Sequence, residues 1–248
     1  MEERNLAEHL SQMSTLWSVL GRAHGEDRDE ILSAQEQLLE RYGNAIRRYL
    51  RAALGNPEAV DEVFQEFAHI FVRGGFRGAD PNRGRFRDYL KTTLYHLIVA
   101  HAKKQQRQPI ALPSNGPEPA VEPLSVADSD REFLENWRKE LLARAWSALE
   151  TVERDTGRPF HTVLRFRAYN PDLSSEALAT QLGRQLGQNL TAPGVRQTLH
   201  RARLKFAGLL VDEVAHSLDQ PTESALVDEL IALDLLEYCK PVLPASQS

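Results

Sequence analysis

The chain has 248 residues, enough for one large or two small domains. A hydrophobic content of 42% and a charged content of 26% are ordinary for a globular protein, and no apolar run is long enough to span a bilayer, so no membrane partner is expected. The single cysteine, Cys239, excludes an intrachain disulfide and a multi-cysteine metal site; Met1, Glu2, Glu3, Arg4 and Asn5 lack the basic start and apolar core of a secretion signal, so a cytoplasmic protein is expected.

Helical periodicity dominates the chain and strand alternation is nearly absent. Residues 14–20 predict an added N-terminal helix that packs Trp17 on the first domain. Residues 31–54 predict a long amphipathic helix on Ile31, Leu38, Leu39, Tyr42, Ile46, Tyr49, Leu50 and Leu54. Gly55-Asn56-Pro57 supplies a glycine stop and a proline at the next helix start. A second helix is expected over 58–72, with Val60, Val63, Phe64, Phe67, Ile70 and Phe71 apolar, and a glycine-rich loop over 74–84. A third helix covers about 86–106, with Phe86, Leu90, Leu94, Leu97 and Ile98 as its core.

Composition then changes. Residues 108–123 contain Pro109, Pro113, Pro117, Pro119 and Pro123, the mark of an extended linker. Helical patterning resumes near Ser129 with Phe133, Leu134, Trp137, Leu141, Ala145, Leu149 and Val152, and Gly157-Arg158-Pro159 breaks it. Helices over 159–169 and 174–184 follow, then one opening near Pro193. Pro221 begins an acidic helical tail reaching Tyr238, with Val227, Leu230, Ile231, Leu233, Leu235 and Leu236 apolar; its packing on the second domain is expected. The predicted fold is all-α: two helical domains joined by a Pro-rich linker, the second containing a helix-turn-helix. The expected boundaries are 1–107, 108–128 (linker), 129–216 and 217–248 (tail).

The net charge of −5 conceals segregation. Between Arg73 and Arg107 stand Arg77, Arg83, Arg85, Arg87, Lys91, Lys103 and Lys104, opposed only by Asp80 and Asp88. From Arg184 to Lys205 there is no Asp or Glu, whereas from Asp212 to Glu237 there is no Lys or Arg. Two basic patches are what a nucleic-acid binder needs locally, whatever the overall charge. In the second patch Val195, Leu199, Ala202 and Phe206 define one helix face. Arg196, Gln197, Thr198, His200, Arg201, Arg203 and Lys205 occupy the others. Amides and guanidinium forks read base edges and cations hold phosphates, so such a helix suits the DNA major groove. Arg196, Gln197, His200 and Arg201 are expected to face the groove, and Ser174 to cap the preceding helix, with Ser175 and Glu176 in its first turn. The third helix and the loop before it mix Phe76, Phe86, Tyr89 and Tyr95 with cations, a pattern that suits stacking of unpaired bases in a basic groove.

The segment Val60-Asp61-Glu62-Val63-Phe64-Gln65-Glu66-Phe67, followed by Arg83-Gly84-Arg85-Phe86-Arg87-Asp88-Tyr89-Leu90-Lys91-Thr92-Thr93-Leu94 and then by Gly194–Arg203, resembles bacterial extracytoplasmic-function sigma factors of the sigma-70 family. The first segment is similar to that family's Ala-Glu-Asp-Leu-x-Gln-Glu pattern, with Gln65-Glu66 matching directly. Tyr89 stands where the family has Trp in a Trp-Leu pair. Gly194, Gln197 and Thr198 replace Thr, Ser and Arg of the family's recognition helix, and residues 184–192 lengthen the turn before it.

The resemblance implies bacterial core RNA polymerase as partner, contacted at the clamp helices of its largest subunit through Asp61, Glu62, Gln65 and Glu66 and at the flap of its second-largest subunit. It implies promoter DNA as the second partner. The minus-10 element would be bound through Phe76, Arg85, Arg87, Tyr89, Lys91, Thr92, Thr93, Tyr95, His96, Lys103, Lys104 and Arg107. The minus-35 element would be bound through Ser174, Arg184, Arg196, Gln197, Thr198, His200, Arg201, Arg203 and Lys205. The linker would thread toward the polymerase active-site channel, and an anti-sigma factor or other regulator is a further partner class. No cofactor is expected.

Enzyme signatures are missing: there is no Gly-rich phosphate loop after a strand, no Gly-x-Ser-x-Gly and no His-Glu-x-x-His. His96 and His101 are spaced to splay on a helix, and Cys239 is expected to be packed rather than reactive. The alternatives are a helix-turn-helix regulator that acts without polymerase and a pure interaction protein. A regulator needs neither the Gln65-Glu66 stripe nor the aromatic-basic third helix, and a scaffold needs no basic recognition face.

Overall fold

A computed structural model of the chain describes residues 28–73, 85–107, 126–218 and 221–244. Within these every regular element is a helix and no strand occurs. No helix among them is long and apolar enough to cross a membrane. The expected helix around Trp17, the loop over 74–84 and the Pro-rich segment 108–123 lie outside the described residues.

Two compact units are formed. In the first, α1 (Arg28–Leu54), α2 (Pro57–Val72), α3 (Phe86–Arg107) and the beginning of α4 (Val126–Thr156) surround an aromatic core. The α1–α2 corner follows from its residues. Gly55 takes φ 67, a left-handed value that costs glycine nothing. The Asn56 side chain accepts the Glu58 N–H at 2.8 Å, and Pro57 starts α2 where its missing N–H costs no bond. Tyr42, Tyr49, Phe67, Phe71, Phe86, Leu90 and Leu94 are buried. Leu97 and Ile98, expected beside them, are only half-buried.

Phe133 and Trp137, expected in the second domain, belong instead to this core. Trp137 stacks on Tyr42 at 4.8 Å and Phe133 meets Tyr49 edge-on at 5.2 Å. Arg48 pairs with Glu140, and Lys91 pairs with Asp130 at 3.0 Å. The reason is the length of α4, 31 residues: its apolar pattern continues without a breaker past Glu140, so sequence alone marks no change of unit.

The second unit holds the rest of α4 from Leu141, with α5 (Phe160–Tyr169), α6 (Ser175–Leu186), α7 (Ala192–His216), α8 (Glu223–Ala232) and α9 (Leu236–Cys239), except for Ala215–Ala225, which belong to the first unit. A short 3-10 turn over Lys240–Val242 follows. Arg144 and Glu213 pair at 2.8 Å between α4 and α7. Glu153 accepts the Thr162 N–H at 2.8 Å, tying the start of α5 to α4. The Arg167 guanidinium donates to the carbonyls of Pro171 and Leu173 at 3.2 and 2.5 Å and so fixes the loop into α6.

The acidic tail packs in this unit as expected, but not as one helix. Leu226, Leu230, Leu233, Leu235 and Cys239 are buried, and Tyr238 meets Phe206 of α7 edge-on at 5.8 Å. Between α8 and α9 the chain reverses at Asp234, φ 55, with Asp234 N–H donating to Ile231 and Leu235 N–H to Leu230. That paired bonding is a Schellman end, with Asp in the place glycine most often takes.

Candidate nucleic-acid interface

The α6–α7 pair is shaped by four small residues. Ser174 has extended backbone, φ −64 and ψ 159, and its hydroxyl accepts the Ala177 N–H at 3.2 Å. Gly187 ends α6 in the left-handed region, φ 63. Gly183 lets the chain fold back closely: Gln188 N–H donates to the Gly183 carbonyl at 2.9 Å, and a Cβ at 183 would lie 2.7 Å from the Gln188 carbonyl oxygen. Thr191 caps α7, accepting Gly194 N–H at 3.2 Å on its hydroxyl and Val195 N–H at 2.9 Å on its carbonyl. The turn expected over 184–192 is therefore shorter than the sequence suggested, because α6 continues through Arg184 to Leu186 and only 187–191 separate the helices.

On α7, Val195, Leu199, Ala202 and Phe206 are buried, as the periodicity predicts. Arg196, Gln197, His200, Arg201, Arg203 and Lys205 are exposed. Arg196, His200 and Arg203, spaced by four and three, follow one stripe of the helix. Thr198 is half-buried, and its hydroxyl is spent on the Gly194 carbonyl at 2.9 Å. Arg184 and Ser174 are exposed on α6 and at its cap.

One carboxylate enters this face. Glu176 of α6 lies 3.9 Å from Arg196. Its pKa is held below the usual carboxylate value, first by a hydrogen bond from its own backbone N–H and then by the Ser174 hydroxyl, with Arg196 a smaller contributor. In the sequence Glu176 is only a first-turn acid; its approach to a residue twenty positions on has no local signature.

The α3 cluster is smaller than expected. Arg87 is 7% exposed and lies 3.7 Å from Asp88, so it is withdrawn into the unit rather than offered to a ligand. Lys91 is half-buried and turned to Asp130. Arg85, Tyr89 and Thr93 are half-buried. The Arg85 carbonyl accepts the Asp88 and Tyr89 N–H groups at 3.0 and 3.2 Å, and the Thr93 hydroxyl donates to the Tyr89 carbonyl at 3.0 Å. Burial pushes the Tyr89 hydroxyl above its ordinary pKa, against a hydrogen bond from Thr93, so it is a neutral phenol at pH 7. Thr92, Tyr95, His96, Lys103 and Lys104 are exposed. The Thr92 hydroxyl donates to the Asp88 carbonyl at 2.9 Å, and the Tyr95 and His96 rings lie 6.0 Å apart. At helical spacing Tyr89, Thr92, His96 and Lys103 share a face. Phe76 and the Arg107 side chain lie outside the described residues.

On α2, Asp61, Glu62, Gln65 and Glu66 form one exposed stripe. Asp61 accepts from Arg47 of α1 at 2.8 Å, and that guanidinium also lies 3.7 Å over the Phe64 ring. Glu62 lies 3.4 Å from Nε2 of His101 on α3. Neither pairing is legible in the sequence, which offers Arg47 no role and His101 only as a histidine splayed from His96, because each partner lies far along the chain.

Comparison with protein-family models, with curated proteins and with solved structures finds nothing that matches this chain.

Proposed function

We propose that the chain is an alternative sigma factor of the extracytoplasmic-function type, which binds bacterial core RNA polymerase and directs promoter recognition and transcription initiation without chemistry of its own. The observation that carries this reading is the α6–turn–α7 pair, whose second helix buries one apolar face and exposes Arg196, Gln197, His200, Arg201 and Arg203. In this reading the pair is a helix-turn-helix that binds the minus-35 element. The 187–191 turn supports a standard placement of the second helix.

The α3 face of Tyr89, Thr92, His96 and Lys103, with Tyr95 and Lys104 beside it, holds the unpaired strand at the minus-10 element. The α2 stripe docks on the clamp helices of the polymerase largest subunit. The expected role of the Pro-rich segment as the joint between the two domains is not kept, because the start of α4 that follows it packs with the first unit; the protein acts in the cytoplasm, where polymerase and promoter meet.

The test is co-purification with bacterial core polymerase followed by run-off transcription on a pool of genomic promoters. Specific transcripts that vanish with Gln65→Ala plus Glu66→Ala support the reading. Duplex binding without any polymerase binding moves it to the second reading, a helix-turn-helix regulator acting alone. The burial of Arg87 and the pairing of Lys91 favour that second reading, because they remove two cations from the strand-holding helix.

A further inference from the structure

The second unit contains an open cavity of about 630 Å³, bounded by α4, α5, α7 and the C-terminal helices. Its walls are apolar, with Trp146, Leu164, Phe206 and Leu235 among them. Three polar side chains reach it, Arg167, Arg203 and Tyr238, and no carboxylate lines it. We propose that this cavity is a binding site for an amphipathic anion, a carboxylate with an aliphatic or aromatic body.

Size and charge carry the inference. Ligand pockets fall at roughly 300–1,000 Å³, mostly apolar with a few converging polar groups. Two guanidinium groups without a lining acid repel a cation and give a neutral molecule nothing in return for their partial desolvation. The Arg167 guanidinium is held in place by the Pro171 and Leu173 carbonyls, so its charge is fixed beside the cavity before any ligand arrives. Arg203 is exposed and can turn to a carboxylate. Burial keeps the Tyr238 hydroxyl protonated beyond its ordinary pKa, against the pull of Arg203, so it serves as a neutral donor. The apolar body then lies on Trp146 and Phe206, whose rings stand 4.7 Å apart. Arg203 also belongs to the exposed basic face of α7, so an anion there removes a cation from that face. Weaker duplex binding in the presence of ligand rests on the function proposed above; the binding site itself does not.

The experiment is titration calorimetry of the full chain with sodium decanoate below its micelle concentration, with decyltrimethylammonium as the charge-reversed chain of equal length. Saturable one-to-one binding of decanoate, with the cation weaker by about ten-fold or more, is expected. Ala168→Trp adds bulk at an exposed lining position on α5, and Arg203→Gln removes the mobile charge. Each is expected to weaken decanoate by about ten-fold while leaving the melting curve unchanged. As a readout in the unaltered protein, 10-bromodecanoate quenches indole emission on binding, and Trp146→Phe abolishes that quench. Lack of saturable binding, equal binding of the cation, or quenching that survives Trp146→Phe overturns the site. Any of these leaves the promoter-reading proposal standing, since that is tested on polymerase and DNA.

Discussion

Gly183→Ala and Gly208→Ala are the same chemical change in two helices of one unit, and they are expected to move stability in opposite directions. Replacing glycine by alanine inside a helix gains about 0.5–1 kcal/mol, because alanine has less backbone freedom to lose. At Gly208 of α7 nothing lies within 4 Å of an added Cβ, so the gain is realised in full. At Gly183 of α6 the Cβ would meet the Gln188 carbonyl oxygen at 2.7 Å, inside the 3.0 Å that real Cβ contacts respect. That carbonyl cannot move freely. The same residue donates its N–H to Gly183 at 2.9 Å, and the left-handed Gly187, φ 63, sets the direction of the chain between them. Relief costs most of one hydrogen bond, about 1 kcal/mol, plus crowding of about 1–3 kcal/mol. Set against the propensity gain, the net is about 1–3 kcal/mol of destabilisation. Thermal unfolding of the full chain, with hydrogen–deuterium exchange on peptides from 175–186 and 192–216, reads both variants. Slower exchange in Gly183→Ala, as in Gly208→Ala, would refute the close-approach argument.

Three further outcomes follow from particular contacts. Trp137 is buried on Tyr42, yet its indole N–H has no acceptor among the described residues, so Trp137→Phe removes an unpaired donor along with some contact area. Trp137→Ala is expected to cost about 3–5 kcal/mol in urea unfolding and Trp137→Phe less than about 1.5; equal costs would contradict the assignment. Glu176→Gln removes the carboxylate beside Arg196, and duplex binding measured by anisotropy is expected to tighten and its salt slope to steepen by about one ion, whereas weaker binding would show that Glu176 orients Arg196 usefully. Burial pushes the Cys239 thiol from 9.0 to about 11. The unfolded chain therefore releases that proton first, and stability is constant for this group below about pH 9 and falls as pH rises toward about 11. Cys239→Ala is expected to flatten that part of the urea-unfolding profile, and an unchanged slope would assign it to the tyrosines.

The helices were legible where periodicity and punctuation agree. Gly55-Asn56-Pro57 carries a stop, a cap and a start in three residues, and the structure uses each in that role. Punctuation misled where a glycine serves packing. The sequence ends this helix at Arg184, next to Gly183, but the missing side chain of Gly183 makes room for Gln188, and the helix runs on to Leu186 with Gly187 as its cap. The reverse error occurs at Asp234, where apolar residues on both sides, from Leu230 to Leu236, hide a left-handed residue that ends α8. The candidate site was legible as a set of residue types on helix faces and no further. Arg87 is indistinguishable from Arg85 in a string of cations, and only the packing of α3 buries one of them. Nor could local sequence bring Asp61 to Arg47, Lys91 to Asp130 or Glu176 to Arg196.

Those pairings bear on how the proposed interfaces work. Two of the proposed interfaces carry an internal counter-charge: Arg47 for Asp61 on the α2 stripe and Glu176 for Arg196 on the α7 face. Exposed pairs of this kind contribute only about 0–1 kcal/mol, so none of them locks a face shut. They do lower the local field that an incoming phosphate or basic helix feels, and that field governs encounter and weak, non-specific association. A partner that makes only a few ionic contacts gains little over the bonds it displaces. A partner that engages the α2 stripe and the α7 face together gains from both, and linked contacts multiply through effective concentration. Under the proposed function, these pairings predict a chain that holds promoter DNA poorly when free and firmly only when polymerase binds the α2 stripe at the same time.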